Sequence, residues 1–407
     1  MYERVAELNV FLWGRHVGSL APESGSYFVF QYDPEFVRAG LQIAPFMLPL
    51  QTGLYHTATM GVPKKEFMGI PGVFADSLPD SFGNSLINRW MKENGIPTSA
   101  ISVLDRLAYV GSRGMGALTF EPKCGPESRK PTALDMRELV EEARLALNER
   151  LSEMSGTDAL REIIRVGTSA GGAQAKAVVG WNRETGDFLA GTGDLPDGYE
   201  HWLIKFTPKG MEDAGEKEYE VYRKALACGI EMSECRLFEL DGVKHFMTKR
   251  FDRDGNRRHH LQTYCALKHI PHSAPRELKT YEGIFHTIAE LNLGYEALEQ
   301  MFRRMAFNVK IGECDDHTKN FSFLMSESGK WRLAPAYDLT GYHTAVEDKD
   351  FEAWSNPHAL SVNGKTGIIT DDDLLLVAER FGIGTAKRAL SEIVERFQGF
   401  KVSKLKG

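Results

Sequence analysis

The segment from Met301 to Asp338 constrains this 407-residue chain more than any other. Met301, Met305 and Val309 recur at helical spacing and predict a helix that runs to Ile311. A polar, charged stretch follows, Asp315-Asp316-His317-Thr318-Lys319-Asn320. The chain then turns apolar in a strand-like run, Phe321 to Met325, reverses at Ser326 to Lys330, and returns as Trp331 to Ala334 before Tyr337-Asp338. Two carboxylates and an amide delivered by one hairpin can hold a divalent cation through oxygen and leave one acid free to take a proton. That is the layout of a phosphoryl-transfer site. A solvated loop with helix-capping aspartates accounts for the same residues equally well.

The chain is long enough for two or three domains, and its 42% hydrophobic and 26% charged residues are ordinary for a soluble globular protein. With 49 basic against 56 acidic residues it carries no overall basic field that would recommend nucleic acid as its main ligand. The basic runs at Lys249, Arg250, Arg253, Arg257 and Arg258, and at Lys401, Lys404 and Lys406, read as solvated surface. The five cysteines (Cys124, Cys228, Cys235, Cys265, Cys314) are scattered and form no CxxC pair, so reduced thiols in a cytosolic protein are expected and zinc is disfavoured. The opening Tyr2-Glu3-Arg4 lacks the apolar core of a signal peptide. No apolar run approaches the ~20 residues a membrane span needs. The expectation is a cytoplasmic protein with no membrane partner.

In chain order, residues 5–12 and 15–20 predict a strand pair around Trp13-Gly14-Arg15, followed by a strand at Tyr27 to Phe30. Gly72 to Gly83 reads as a loop, and the helix after it, to about Glu93, places Leu86, Ile87 and Trp90 on one face. Gly111-Ser112-Arg113-Gly114 lacks the ending of a phosphate loop and reads as a tight turn before a strand at Ala117 to Phe120. Lys123 to Lys130 is the clearest linker. A helix follows, with Thr132 as N-cap and Met136, Val140, Ala143 and Leu147 on its apolar side.

Val166 to Lys176 is the second informative stretch. Its small residues let backbone N–H groups approach an anion, and Lys176 on the emerging strand adds a point charge. A plain hairpin turn is the competing explanation. His201 to Phe206 reads as a buried strand that carries Lys205, and the helix from about Glu216 to Cys228, stopped by Gly229, presents Glu218 and an apolar side of Tyr222, Ala225 and Leu226. A strand lysine paired with a helix glutamate beside phosphates suits nucleotide placement, whereas an edge-strand lysine needs no such role. Val243 to Phe251 predicts a further strand. The remainder reads as helical over 281–291, 295–311, 373–381 and 385–400. Asp371 to Asp373 suit the positive end of a helix dipole.

Taken together, the order is glycine-rich loop, strand lysine, helix glutamate, connecting strand, acid-x-His-x-x-Asn and a final acid, which is the part order of a two-lobed kinase. At this point the sequence resembles the HipA-like serine/threonine kinases, toxins of bacterial HipBA-type type II toxin–antitoxin pairs. The resemblance spans nearly the whole chain. Its carriers are Ser77-Leu78-Pro79-Asp80, Gly111 to Leu118, Ser169 with Gly172 to Lys176, Lys205, Arg250 to Arg253, Asp315 to Ser322, and Tyr337-Asp338.

The resemblance implies an α/β (α+β) chain with a two-lobed kinase-like fold. A small β-rich N-terminal domain (1–124) precedes a kinase N-lobe with the glycine-rich loop (125–253) and a mostly helical C-lobe (254–407). It implies Asp315 as the base that accepts a substrate hydroxyl proton, and Asn320 and Asp338 as Mg²⁺ ligands, with His317, Thr318 and Lys319 completing the loop. Gly171, Gly172, Ala173, Gln174 and Ala175 would cradle the phosphates of ATP, Lys176 and Lys205 would contact them, and Lys249, Arg250, Phe251 and Tyr337 would border the nucleotide. Ser169 matches the family's autophosphorylated serine, whose dianionic form would repel ATP phosphates and switch the kinase off. The implied acceptor is a Ser/Thr hydroxyl of a protein, with an aminoacyl-tRNA synthetase as the suggested target and growth arrest or persistence as the outcome. The implied partner is a HipB-like helix-turn-helix antitoxin, through which operator DNA is reached indirectly. Two departures bear on nucleotide affinity: Ala175 stands where the family often has Glu, and Lys249 occupies a hinge position that can be acidic. A weakly catalytic co-repressor of an antitoxin–DNA complex, or a kinase of the same fold acting on a small molecule, are the alternatives.

Overall fold

Alternating burial organises the first strands. The computed structural model describes residues 4–79, 81–125, 133–147, 175–341 and 357–399, so Asp80, Thr132, Ser169, Gly171, Gly172, Ala173 and Gln174 lie outside the described residues. In β1 (Leu8–Leu12), Leu8, Val10 and Leu12 are fully buried and the residues between them are not. That is the period-2 pattern of a sheet with one face in a core. It pairs with β2 (Arg15–Pro22) through a two-residue turn in which Trp13 (φ 51°) and Gly14 (φ 75°) are both left-handed, the geometry that matches strand twist. With β3 (Phe28–Tyr32), β4 (Leu54–His56) and β5 (Leu118–Glu121) they form an antiparallel sheet in the order β4-β3-β2-β1-β5.

A second antiparallel sheet has the order β7-β6-β8-β10-β9, from β6 (Lys176–Asn182), β7 (Phe188–Ala190), β8 (Tyr199–Lys205), β9 (Cys235–Leu240) and β10 (Val243–Lys249). The helices Ser81–Glu93 and Met136–Leu147 bury Leu86, Ile87, Met91, Leu139 and Val140 in one cluster with Val179, Trp202 and Ile204. Each such side chain contributes roughly 1.5–3 kcal/mol of transfer free energy. Both sheets belong to one compact unit, Met1–Glu216 with Glu234–His269 and Leu324–Lys330.

Between the sheets' segments in this unit sits a buried charge cluster. Asp252 is 0% exposed and accepts from Arg250 Nε (2.9 Å) and Nη2 (2.7 Å), from Arg253 Nη1 (2.6 Å) and from Gly116 N–H (2.7 Å). Arg258 donates to the carbonyls of Gly116 and Gly114, both at 3.0 Å, and Trp13 Nε1 donates to the Arg258 carbonyl at 2.7 Å. Burial opposes ionisation of Asp252, but the two guanidinium groups beside it hold its carboxyl far below the usual range.

The second unit is Lys217–Ser233, Ile270–Phe323 and Trp331–Gly407. It holds most of the helix Ala214–Ala227 and the helices Tyr281–Glu290, Tyr295–Ile311, Asp371–Arg380 and Ala386–Gly399. Gly229 (φ +73°) ends the first of these, and Arg303 Nη1 and Gln300 Nε2 satisfy the freed carbonyls of Cys228 and Gly229. Thr370 and Asp373 form a reciprocal capping box at the acidic helix start. No helix among the described residues is long and apolar enough to cross a membrane.

Three local readings are corrected. The loop expected over 72–83 contains a buried helical turn, Gly72–Ala75, and the following helix already includes Ser81. The helix Val103–Val110 has no counterpart among the predicted elements, although its Ser102–Asp105 capping box is a sequence signal. Leu226, expected on an apolar helix side with Tyr222 and Ala225, is 43% exposed while the other two are buried.

Candidate active site

The helix Tyr295–Ile311 delivers the central loop. Met301 and Met305 are fully buried, Val309 nearly so, and Gly312 (φ +67°) stops the helix. Glu313 N–H then returns to the Asn308 carbonyl (2.9 Å), which ties the start of the loop to the helix end.

The three acids that follow one another here have different surroundings. Asp315 is open, with its side chain 76% exposed, and His317 Nε2 stands 3.8 Å from Asp315 Oδ1. Its backbone is held on both sides. The Asp315 carbonyl accepts from His317 N–H and from Asn320 Nδ2, each at 2.8 Å, and its N–H donates to Glu313 Oε1 at 3.0 Å. Asp316 is buried and points the other way, accepting from Tyr281 Oη (2.7 Å), His358 Nδ1 (3.0 Å) and Ala359 N–H (2.7 Å). Glu313, 2% exposed, accepts from Thr340 and Gly341 as well as Asp315. Burial raises its pKa, and those donors oppose the rise by stabilising the charged form.

His317 caps the short turn Thr318–Asn320 and accepts from Lys319 N–H through Nδ1. Thr318 is buried and donates to the Ile270 carbonyl at 2.8 Å, while Lys319 is exposed. The strands Ser322–Met325 and Trp331–Leu333 form where the sequence places them. Tyr337 Oη donates to the Lys319 carbonyl (2.5 Å), so the Ser322 hydroxyl beside it (2.5 Å) is the donor in that contact. Tyr337 thus pins the loop to the returning strand.

Asp338 is half-buried with φ +55°, a left-handed backbone that a non-glycine residue rarely adopts and that recurs at functional sites. Asn320 and Asp338 line the same pocket, with Arg304, Asn308, Glu313, Asp316 and Tyr337 also in its wall. Since Asn320 Nδ2 is taken by the Asp315 carbonyl, its Oδ1 remains as acceptor. An amide oxygen and a half-exposed carboxylate on one pocket wall fit Mg²⁺, a hard cation that takes few protein oxygens and keeps water and phosphate ligands. Among the described residues no group of three or more His, Cys, Asp or Glu is assembled around a metal. Sequence reasoning missed Arg304 and Asn308. Arg304 is 2% exposed, with Nε and Nη2 unbonded among the described residues, and its pKa is lowered to about 10 by burial. Asn308 Oδ1 is likewise buried without a bond. Both sit at helical spacing among apolar residues, where a polar side chain is a recognisable signal.

In the other unit, Lys176 and Lys205 are direct cross-strand partners on β6 and β8, and Lys205 is in turn opposite Phe246 on β10. Both lysines are buried, at 5% and 9% exposure. The pairing places two lysine side chains on one face of the sheet. Ala175 is buried beside them, and Phe251 is half-buried. Lys249 is paired with Glu200 on β8. The Arg250 guanidinium is committed to Asp252 in the buried cluster, and its backbone N–H donates to the His201 carbonyl at 2.9 Å. Ser169 and Gly171 to Gln174 lie outside the described residues.

Two family models match the chain. Residues 168–402 match the family model of the HipA-like C-terminal domain, and residues 8–121 match that of the HipA N-terminal domain. Two proteins of Sinorhizobium fredii, Y4dM and Y4mE, both provisionally named kinases, are similar. Y4dM is 24% identical over 215 residues, 48% of this chain and 50% of Y4dM. Y4mE is 25% identical over 261 residues, 60% of this chain and 58% of Y4mE. The chain therefore spans about half the length of the curated relatives it matches. Among solved structures, HipA of Shewanella oneidensis MR-1, determined with HipB and its operator DNA, superimposes with a TM-score of 0.65 at 17% identity, covering 98% of this chain and 92% of that one. That likeness extends to the fold.

Proposed function

We propose that this chain, which belongs to the HipA-like family, is an ATP-dependent serine/threonine protein kinase that acts as the toxin of an antitoxin pair. The observation that carries the reading is the arrangement of Asp315, Asn320 and Asp338. Asn320 and Asp338 share one pocket wall, and Asn320 is fixed by the backbone of Asp315. Asp315 itself keeps an exposed carboxylate on a backbone held from both sides.

In the proposed reaction Asp315 accepts the proton of a Ser/Thr hydroxyl. The hydroxyl oxygen forms a bond to the γ-phosphorus of ATP as the bond to the bridging oxygen breaks, and ADP leaves. Asn320 and Asp338 are the residues that would hold Mg²⁺, which when bound neutralises phosphate charge. His317, Thr318 and Lys319 shape the loop, and Tyr337 fixes it by its bond to the Lys319 carbonyl. Lys176 and Lys205 bind the phosphates, and the buried facing pair on β6 and β8 supports that role. The remaining assignments follow from family membership: Gly171 to Ala175 as the phosphate loop, Lys249 to Phe251 beside the base, and Ser169 as the autophosphorylated residue. The three-part division at 124 and 253 is proposed on the same ground.

A HipB-like helix-turn-helix antitoxin is the proposed partner, supported by the solved HipA–HipB–operator complex to which this fold is similar. Operator DNA would be reached through that partner. The proposed target is a protein of the translation machinery such as an aminoacyl-tRNA synthetase. Incubation of the purified chain with γ-labelled ATP, Mg²⁺ and a bacterial lysate tests the reading. Label is expected on Ser169 and on a lysate protein that mass spectrometry can name. If neither the chain nor any lysate protein is labelled, the kinase reading fails.

A further inference from the structure

We propose that Glu313 is a positioning residue whose buried carboxylate clamps the Asp315 loop to the turn that follows Asp338, so that the two acids keep one spacing. One carboxylate oxygen, Oε1, accepts the Asp315 N–H at 3.0 Å. The other, Oε2, accepts the Thr340 N–H at 2.8 Å, the Thr340 hydroxyl at 3.1 Å and the Gly341 N–H at 2.8 Å. Thr340 and Gly341 stand two and three residues past Asp338. The backbone of Glu313 is itself anchored, because its N–H donates to Asn308 at the end of the helix Tyr295–Ile311.

This side chain does what no other acid in the loop does. Asp316, also buried, ties the loop to Tyr281 and to residues 358–360. Among the acids of the described loop, only Glu313 joins the segment of the proposed base to the segment of the proposed metal ligand, and it does so at Asp315 itself, whereas Tyr337 reaches the loop further on, at the Lys319 carbonyl. A carboxylate suits the task because both oxygens act purely as acceptors toward backbone donors pointing inward from two strands of chain. A glutamine would turn an NH₂ group toward one set of these N–H groups, donor facing donor, and release that side.

The effect of the clamp on catalysis rests on the kinase reading, whereas its effect on local order does not. Hydrogen–deuterium exchange and steady-state turnover are therefore measured together on the full chain, wild type against Glu313→Gln and Glu313→Ala. The expected result is exchange at least 10-fold faster at the amides of Asp315, Thr340 and Gly341 in Glu313→Ala, with the helix Tyr295–Ile311 unchanged. Turnover falls about 10–100-fold, the range seen when groups supporting a site's ligands are removed, while KM for ATP stays within about threefold. Glu313→Gln lies between, and it stands in for the alanine variant if that fails to fold. Wild-type exchange at these amides, or turnover undiminished in a variant whose amides exchange faster, overturns the proposal. If the wild type itself transfers no phosphate, the kinase reading fails and the exchange result alone decides the clamp.

Discussion

Asp316→Ala is the substitution whose cost can be worked most fully from the geometry. The Asp316 side chain is 0% exposed and takes three hydrogen bonds in the normal range, from Tyr281 Oη, His358 Nδ1 and Ala359 N–H, with a longer one from Leu360 N–H at 3.4 Å. Tyr281 and His358 are buried at 0% and 4% exposure, so water cannot readily replace the lost acceptor. Leaving a buried donor unmet costs about 1–3 kcal/mol. Three such donors are partly offset by no longer burying a charge, which gives a net loss of about 3–5 kcal/mol. At roughly 2–4 °C per kcal/mol for a domain of this size, the unfolding temperature falls by about 6–20 °C. Asp316→Asn keeps an acceptor for Ala359 but directs its NH₂ at Tyr281, whose oxygen already accepts from Asn308 Nδ2 at 3.0 Å, so about half the loss remains. Thermal unfolding followed by circular dichroism reads both variants. An alanine variant that melts within about 2 °C of wild type would refute the reasoning, since it would mean the network contributes nothing net.

Two further outcomes concern the other unit. Asp252→Asn removes the carboxylate that, among the described residues, alone bonds Arg250 and Arg253, leaves buried like charges together, and should destabilise by about 3–5 kcal/mol in urea unfolding, whereas a change under about 1 kcal/mol counts against the cluster. Burial lowers His201, His260 and His269 to a pKa of about 4 each, against about 6.5 unfolded. The unfolded chain therefore binds more protons between those values, so stability is complete above about pH 6.5 and is lost as pH falls toward 4. The unfolding free energy from urea titration should drop between pH 7 and pH 5.5 by roughly 1 kcal/mol per histidine, and a value that rises would contradict the burial of these rings.

Much of the candidate site was legible because its residues are close in sequence. Asp315, His317 and Asn320 sit within six residues, and Asp338 leaves the hairpin that the apolar runs of Phe321 to Met325 and Trp331 to Ala334 already describe. What could not be read is what depends on long-range contact. Asp315 and Asp316 look alike in sequence, yet one is open and the other is bound to groups 35 and 42 residues away. Arg250 reads as a surface cation until Asp252 and Gly116 surround it. The cross-strand pairing of Lys176 with Lys205 follows from a register that periodicity alone does not set. Leu226 shows the reverse failure, where helical spacing assigned an apolar residue to a face that solvent reaches.

The central claim, that Asp315 accepts the proton in phosphoryl transfer, is tested most directly by single-turnover transfer from γ-labelled ATP with wild type and Asp315→Asn. Nucleotide affinity is measured alongside, in the presence of Mg²⁺. Because the Asp315 side chain is exposed and, among the described residues, accepts no backbone hydrogen bond, the variant should fold and bind ATP as wild type does. Its transfer rate should fall about 10²–10⁴-fold, the contribution of a positioned general base. Transfer within about threefold of wild type would contradict the account.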